Sequence, residues 1–449
     1  MSEIDPARLA ALNLPVPRYT SYPTAPVWGP LPLNTYKQHL LKTRGPLSLY
    51  IHIPFCRTMC LYCACSVVLN RNKENEERYV DYLLREIDMV TSYLPQKSAV
   101  HQLHFGGGTP TKLSEPLLTR IVDHLSERFA IDFTKEIAME IDPRTVMADD
   151  GAKLRHLRAL GFNRVSFGVQ DTNARVQEAV KRRQSLEMTR TTFLLARELG
   201  FEEINIDLIY GLPFQTCETF EKTVDDILAL GPNRIAMYSY AKVPWLKKHQ
   251  RAIKDEWLPS TDEKFRIYVQ ARKQFTEAGY LAIGMDHFAR EEDSMAQAFR
   301  NKKLQRNFQG YSLKLADHQI GLGMTSTGYV ADGYFQNLKT LDTYYAAIDD
   351  GILPILRGKV MTEDDRIRKW TIHRLMCDFE LDKAHFADQF GIPFDTYFAN
   401  ELEAIRDSDL IEDGPVLRPT LYGALFIRNI ASLFDAYLKP TETQFSRAV

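Results

Sequence analysis

The chain has 449 residues, 45% hydrophobic and 25% charged, with a formal net charge of −2. Its length exceeds what one core usually supports, so more than one domain is expected. The charge balance, with no long basic run, argues against a general nucleic-acid or membrane-surface binder, and no apolar run approaches the ~18 residues of a membrane span.

The N-terminus, MSEIDPARLAALNLPVPRY, lacks the basic start and apolar run of a secretory leader, which places the expected compartment in the cytoplasm. Residues 1–48 are Pro-rich and irregular (VPRYTSYPTAPVWGPLP) and read as an ordered arm. From residue 49 short apolar runs alternate with helical patterns. Strands are expected at LYIHIPF (49–55), VHQLHF (100–105), EIAMEID (136–142), RVSFGVQ (164–170), EINIDLIY (203–210) and RIAMYSY (234–240). Between them Val80, Leu83, Leu84 and Ile87 share a helix face, as do Leu118, Ile121, Val122, Leu125 and Phe129. Phe220, Val224, Ile227 and Leu228 repeat the spacing, and Gly231-Pro232 ends that helix. Strand and helix in alternation imply parallel strands with helical crossovers. The expected fold is α/β: a partial (β/α)6 TIM-like barrel over 49–290, with a doubly wound sheet as the alternative. Residues 291–360 break the rhythm and read as a connecting segment. From 361 to 449 the chain reads as mainly helical (DDRIRKWTIHRLMCDFEL, TYFANELEAIRDSDLIED), a smaller second domain.

Four of the six cysteines fall in CRTMCLYCAC, at Cys56, Cys60, Cys63 and Cys65. Cytoplasmic thiols stay reduced, so a disulfide framework explains them poorly. Cys56, Cys60 and Cys63 have the spacing C-x3-C-x2-C and follow the first strand, where barrel enzymes place their chemistry. Thiolates hold iron–sulfur clusters and zinc alike. Structural zinc usually takes two short-spaced ligand pairs, and no second pair exists here. Three thiolates on a four-iron cubane leave one iron open.

Other positions carry two readings each. Gly106-Gly107-Gly108-Thr109 follows the second strand and is either a tight turn or a close backbone approach to a ligand; it is neither a Walker loop nor GxGxxG. Tyr50 and His52 lie on the polar face of the first strand, toward a barrel interior, or are satisfied core residues. Glu140, Gln170 and Asp207 lie on later strands as ligand contacts or structural pairs. Arg182, in VKRRQ, reads as a solvated charge. Asp286 and His287 in GMDHFA, and Arg18 in the arm, suit proton handling or carboxylate binding, or surface roles.

C-x3-C-x2-C after a strand resembles the radical S-adenosylmethionine superfamily. PRYTSYPTA (17–25), LYIHIPFC (49–56), HFGGGTPT (104–111), NIDLIYGLP (205–213), GMDHFA (284–289), NFQGY (307–311) and QFSR (444–447) together resemble the oxygen-independent coproporphyrinogen III oxidases over nearly the whole chain. The resemblance implies one 4Fe-4S cluster held by Cys56, Cys60 and Cys63, with S-adenosylmethionine on the fourth iron. It implies a second S-adenosylmethionine molecule. Glu140 is implied at the first molecule, Gln170, Arg182, Asp207 and Ala241 at the second, and the Tyr50 position is implied to contact S-adenosylmethionine. The glycine run is implied to cup the methionine end of the first and part of the second. Cys65 and Tyr50 are implied as catalytic, Cys65 without being a cluster ligand. Thr327 stands where the family commonly contacts S-adenosylmethionine with an aliphatic residue, and Ala64 where it commonly has Gly.

The implied reaction uses a 5′-deoxyadenosyl radical to decarboxylate two propionates of coproporphyrinogen III to vinyl groups, giving protoporphyrinogen IX. A low-potential donor such as flavodoxin or ferredoxin, a monomer and no nucleic-acid partner are implied as well. Residues 291–360 are implied to complete the cofactor and substrate site, and the helical C-terminal part to cover the barrel mouth. Haem-binding chaperones of the superfamily are a competing reading, but they lack the fourth cysteine and the PRYTSYPTA arm. Radical enzymes that methylate or open haem are another, and they make no vinyl groups.

Overall fold

A computed structural model describes residues 6–95, 97–147, 150–405, 408–438 and 445–448; Gln444 of the terminal QFSR lies outside them. Contacts divide the chain into two compact units, each assembled from separate stretches. Unit 1 takes the chain up to Trp28, Pro259–Lys314 and everything from Met361 onward; unit 2 takes Gly29–Leu258 and Leu315–Val360.

Unit 2 is built on β1 (Leu47–Ile53), β2 (Ala99–Gly107), β3 (Ala130–Ile141), β4 (Arg164–Gln170), β5 (Glu203–Tyr210) and β6 (Arg234–Ser239). These pair in that order and all run parallel. Their alternation explains the layering. On β4, Val165, Phe167 and Val169 are buried under the crossover helices, while Arg164, Ser166, Gly168 and Gln170 face the other way and are half-buried. The helices lie where their spacing predicts. In α1 (Lys73–Thr91) the Asn72 side chain caps the Glu74 amide at 3.0 Å, and Val80, Leu83 and Ile87 are buried, with Leu84 half-buried. In α2 (Glu115–Arg128) Leu118, Ile121, Val122 and Leu125 are buried, and Phe129 closes the end. A later helix, Cys217–Leu230, stops at Gly231, whose φ of +67° suits a residue without a side chain.

A seventh parallel strand, β7 (His318–Leu322), pairs on the free side of β1, with Tyr50 opposite Gly321. It continues into antiparallel β8 (Thr327–Val330), β9 (Gly333–Asn337) and β10 (Ile355–Val360). Glycines made these strands hard to recognise and make them possible. A Cβ at Gly321 would sit 2.7 Å from the Thr327 backbone, and one at Gly328 would sit 2.6 Å from the Gln319 carbonyl. The sheet is open: among the described residues no pairing joins β10 to β6.

Unit 1 centres on the helix Glu363–Asp378, started by a reciprocal Thr362–Asp365 cap. Ile367, Ile372, Leu375 and Met376 pack with Phe386, Phe394 and Phe398. The region is mainly helical, as expected, but also carries a small antiparallel sheet of Leu381–Asp382, Val416–Pro419 and Ile411–Glu412. Buried Arg428 donates to the carbonyls of Pro17 (3.0 Å), Arg447 (2.9 Å) and Ser446 (3.1 Å) and so holds the arm and the tail. Among the described residues no helix is long and apolar enough to cross a membrane.

Candidate active site

The chemistry-bearing residues gather at the C-terminal ends of the parallel strands of unit 2. Cys56, Cys60, Cys63 and Cys65 lie in the loop after β1, and none is in a disulfide. The loop is held by backbone bonds from Val68 to Pro54 (2.7 Å), Asn70 to Cys56 (3.0 Å) and Leu61 to Val180 (2.9 Å). Gln250 donates to the Tyr62 carbonyl (2.8 Å), His249 to that of Cys63 (2.7 Å) and Lys247 to that of Cys65 (2.7 Å). These three donors come from a second loop, KVPWLKKHQ (242–250).

The thiols differ in their surroundings. Cys56 Sγ lies 3.3 Å from Thr109 Oγ1, and burial pushes its pKa up to about 11. Cys60 Sγ faces Arg144 at 3.7 Å and Arg182 at 3.8 Å. The Cys65 thiol and its amide, 3.4 Å away, both direct hydrogens at Cys63 sulfur, which lowers the Cys63 pKa to about 7. The same bond holds the proton on Cys65, whose pKa is raised. Cys65 is exposed, whereas Cys60 is buried.

The residues fit an iron–sulfur cluster. Soft thiolates in one loop, two guanidiniums beside one of them and a hydroxyl beside another suit anionic sulfur. Among the described residues no three of His, Cys, Asp or Glu converge as ligands of a single ion. A cubane holds its thiolates at separate corners.

Beside the loop, the glycine run packs too tightly for side chains. A Cβ at Gly106 would meet Glu140 Oε1 at 2.7 Å, and at Gly108 the Pro54 carbonyl oxygen at 2.6 Å. Gly107 has φ +118° and its amide donates to Glu140 Oε2 at 3.2 Å. His104 Nε2 donates to Glu140 Oε1 at 3.0 Å. Burial pushes the Glu140 pKa up, but the His104 ring and the Gly107 amide more than offset it, and the net shift is downward.

Tyr50 stacks near His104, with ring centroids 6.0 Å apart. Its hydroxyl lies 3.1 Å from His52 Nδ1. His52 Nε2 lies 3.1 Å from the Ser66 carbonyl, which only accepts, so Nε2 carries the proton and Nδ1 accepts from Tyr50. Burial lowers the His52 pKa to about 4 and keeps the ring neutral.

Further along the sheet, Asp207 accepts from Ser166 Oγ (2.9 Å) and Asn205 Nδ2 (2.7 Å). Arg182 lies 3.4 Å from Asp142 and bonds the Gly168 carbonyl. Asp142 is also gripped by Arg144 at 2.6 Å. Buried Asn205 Oδ1 and Arg182 Nε have no hydrogen-bond partner among the described residues, so this corner retains unused polar capacity. Gln170 adopts φ +71° with its amide near Gly168. The Ala241 carbonyl accepts from Gln250 at 3.3 Å. Thr327 is buried on β8, against Gly321.

Thus Tyr50, Gly107, Gly108, Thr109, Glu140 and the cysteines form one group, and Gln170, Arg182 and Asp207 a second along β4 and β5. His104, Ser166, Asn205, Asp142 and Arg144 join them without having been singled out. Strand alternation held a signal for His104, which shares the parity of Gln102 and Gly106. Asp286, His287 and Arg18 belong to unit 1. There Asp286 bonds His287 Nδ1 at 2.7 Å and Arg306 at 3.2 Å, and Arg306 donates to the Arg18 carbonyl at 2.9 Å.

Two family models match the chain: the radical SAM superfamily over residues 50–227 and the HemN C-terminal domain over 361–426. A protein of Helicobacter pylori strain J99 named oxygen-independent coproporphyrinogen III oxidase is 40% identical, with all of both chains covered. Its namesake in Escherichia coli K12 is 40% identical, covering 99% of this chain and 98% of that protein. A solved structure described as coproporphyrinogen III oxidase (HemN) from Escherichia coli, a radical SAM enzyme, superposes with a TM-score of 0.91 at 39% identity. It covers 97% of this chain and 100% of that one.

Proposed function

We infer the function from one premise: the chain belongs to the oxygen-independent coproporphyrinogen III oxidase family of radical SAM proteins. It is an oxidoreductase of porphyrin and haem biosynthesis that turns two propionates of coproporphyrinogen III into vinyl groups, giving protoporphyrinogen IX. The observation that carries this reading in the molecule itself is the C-x3-C-x2-C loop seated against the glycine run and Glu140 at the ends of β1 to β3.

A 4Fe-4S cluster and S-adenosylmethionine, when bound, would supply the one-electron radical chemistry that oxidation of a propionate side chain needs. Cys56, Cys60 and Cys63 would hold the cluster, which would leave it an open position for S-adenosylmethionine. Arg144 and Arg182 offset the charge at Cys60. The Gly106–Thr109 backbone and the Glu140 carboxylate seat the methionine end, with Glu140 kept ionised by His104. Tyr50, locked by neutral His52, walls the same space. A second S-adenosylmethionine would lie along Gln170, Arg182, Asp207 and Ala241, where the unused polar atoms are; Thr327, on β8, borders S-adenosylmethionine as well. Cys65, still protonated, handles a proton or an electron near the substrate. The Cys65→Ser variant therefore keeps iron and cleaves S-adenosylmethionine but forms little protoporphyrinogen; normal vinyl formation would make Cys65 packing.

The same proposal divides the chain by role into an arm (1–48), a partial barrel (49–290), a connecting segment completing the site (291–360) and a helical cover (361–449) that keeps water from the radical. It takes the protein as a cytoplasmic monomer reduced by a flavodoxin or ferredoxin, with no nucleic-acid partner. The test is anaerobic cluster reconstitution, then incubation with S-adenosylmethionine, a reductant and coproporphyrinogen III. Expected products are protoporphyrinogen IX and carbon dioxide. Stoichiometric haem binding without turnover, or a methylated product, would overturn the reading.

A further inference from the structure

The turn between β7 and β8 is gripped from several sides within unit 2. Glu86, buried on α1, accepts from the Gly323 amide at 2.7 Å, from Asn337 Nδ2 at 2.6 Å and from the Tyr344 hydroxyl at 2.6 Å. The Tyr79 hydroxyl, from the same helix, donates to the His52 carbonyl at 2.6 Å and accepts from the Met324 amide at 3.1 Å, so it ties the turn to β1. A Cβ at Gly323, where φ is +93°, would sit 2.7 Å from the His52 carbonyl oxygen, so the turn lies directly against that strand. Its other end is fastened to the end of β9: the Thr325 amide bonds the Leu338 carbonyl at 2.8 Å, and the Asn337 amide bonds the Ser326 carbonyl at 2.9 Å.

Within this clamp Thr325 is held at φ +63°. A β-branched residue is unfavourable in the left-handed region, and such a conformation persists only where the surroundings impose it. Thr325 is buried, and its hydroxyl lies 3.2 Å from His52 Nε2. The Nε2 hydrogen thus faces two oxygens, this hydroxyl and the Ser66 carbonyl at 3.1 Å. The two differ in anchorage. Ser66 follows Cys65 in the cysteine loop, whereas Thr325 is fastened to α1 and the sheet. A ring held by Thr325 keeps its Nδ1 lone pair on the Tyr50 hydroxyl, 3.1 Å away, without depending on the loop. We propose that Thr325 is a positioning residue for S-adenosylmethionine binding: through the His52 ring it fixes the Tyr50 side chain that walls the cofactor space. This rests on the function proposed above and adds a residue to it that touches neither cluster nor cofactor.

The test is a double-mutant cycle on anaerobically reconstituted protein, with S-adenosylmethionine titrated by calorimetry and the urea midpoint recorded for each variant. Thr325→Val keeps the shape and removes the hydroxyl; it is expected to weaken binding about three- to tenfold, the size of one hydrogen bond, with the midpoint near that of the wild type. Thr325→Ser keeps the hydroxyl and should stay within about twofold of the wild type. In a Tyr50→Phe background, which has no hydroxyl for His52 to hold, Thr325→Val should change the affinity by less than about twofold. A purely structural role would instead weaken binding equally in both backgrounds. Should Thr325→Val fail to fold, Thr325→Ala removes the same hydroxyl and takes its place in the cycle. Wild-type affinity in the variant without the hydroxyl overturns the proposal, as does an equal loss in the two backgrounds or a Thr325→Ser variant no better than Thr325→Val. If the wild type itself binds no S-adenosylmethionine, the functional reading falls and this inference with it.

Discussion

The inner face of the unit 2 sheet carries two polar layers whose carboxylates differ in exposure and in what holds them. In the lower layer Ser48 bonds Gln102 at 2.9 Å, Gln102 bonds Glu136 at 2.8 Å, and Arg164 meets Glu136 at 2.8 Å. Arg234, with no exposed side-chain surface, joins Glu136 and Glu203. The Glu136 side chain is 7% exposed. A few residues further along the same strands, Glu140 is 39% exposed and Asn205 retains an unused polar atom, as does Arg182 in the connection after β4. The same residue types thus serve different ends. The lower carboxylate is saturated by cations of its own chain and closes the bottom of the sheet. The upper one is oriented by a ring and an amide and still has a face to offer a ligand.

Substitutions sharpen this contrast. The largest effect is expected at the cysteines of the upper end: Cys56→Ala, Cys60→Ala or Cys63→Ala should abolish iron and sulfide binding, with circular dichroism unchanged. A full complement of iron in any one of them would remove that residue from the ligand set. Next, Glu136→Ala removes the carboxylate shared by Gln102, Arg164 and Arg234 and should cost about 3–5 kcal/mol of stability in urea denaturation. A loss below ~1 kcal/mol would break the contrast at its lower end. Glu140→Ala should leave the unfolding midpoint near that of the wild type but weaken S-adenosylmethionine binding by about 1.5–3 kcal/mol in calorimetry. Unchanged affinity would return Glu140 to a structural role.

The smallest effect is in acid. Burial pushes the Glu136 pKa up, but Arg164 and Arg234 more than offset it, so the folded value is below the ordinary one. The folded state therefore binds fewer protons than the unfolded state, and the stabilisation is complete above about pH 4.3 and lost as pH falls through the folded value. The stability gap between wild type and Glu136→Gln should be flat from about pH 5 to 8 and shrink below about pH 4. A gap that widens on acidification would contradict the pairing.

The parallel strands β1 to β6 were legible because each buries one face under helices and repeats its apolar side chains with a period of two. The cysteine loop was legible because its spacing is chemical rather than conformational. β7 to β10 were not, because Gly321, Gly328 and Gly333 remove the side chains on which periodicity depends. Strand β3 begins at Ala130 rather than 136, since DFTKE shows no apolar alternation. Within the site, Glu140 and Asp207 could be placed on strands, but their partners His104, Ser166 and Asn205 come from neighbouring strands, and register is a long-range property that a single chain does not display. Arg182 shows the limit most plainly: in VKRRQ it reads as solvated, yet it is buried against Asp142 and Cys60.

The bonds that Gln250, His249 and Lys247 make to the cysteine loop end on main-chain oxygens of Tyr62, Cys63 and Cys65, and leave every sulfur to other partners. The loop's shape is thus written in side chains that bind no iron. The geometry of the seat is therefore set separately from whatever the sulfurs bind.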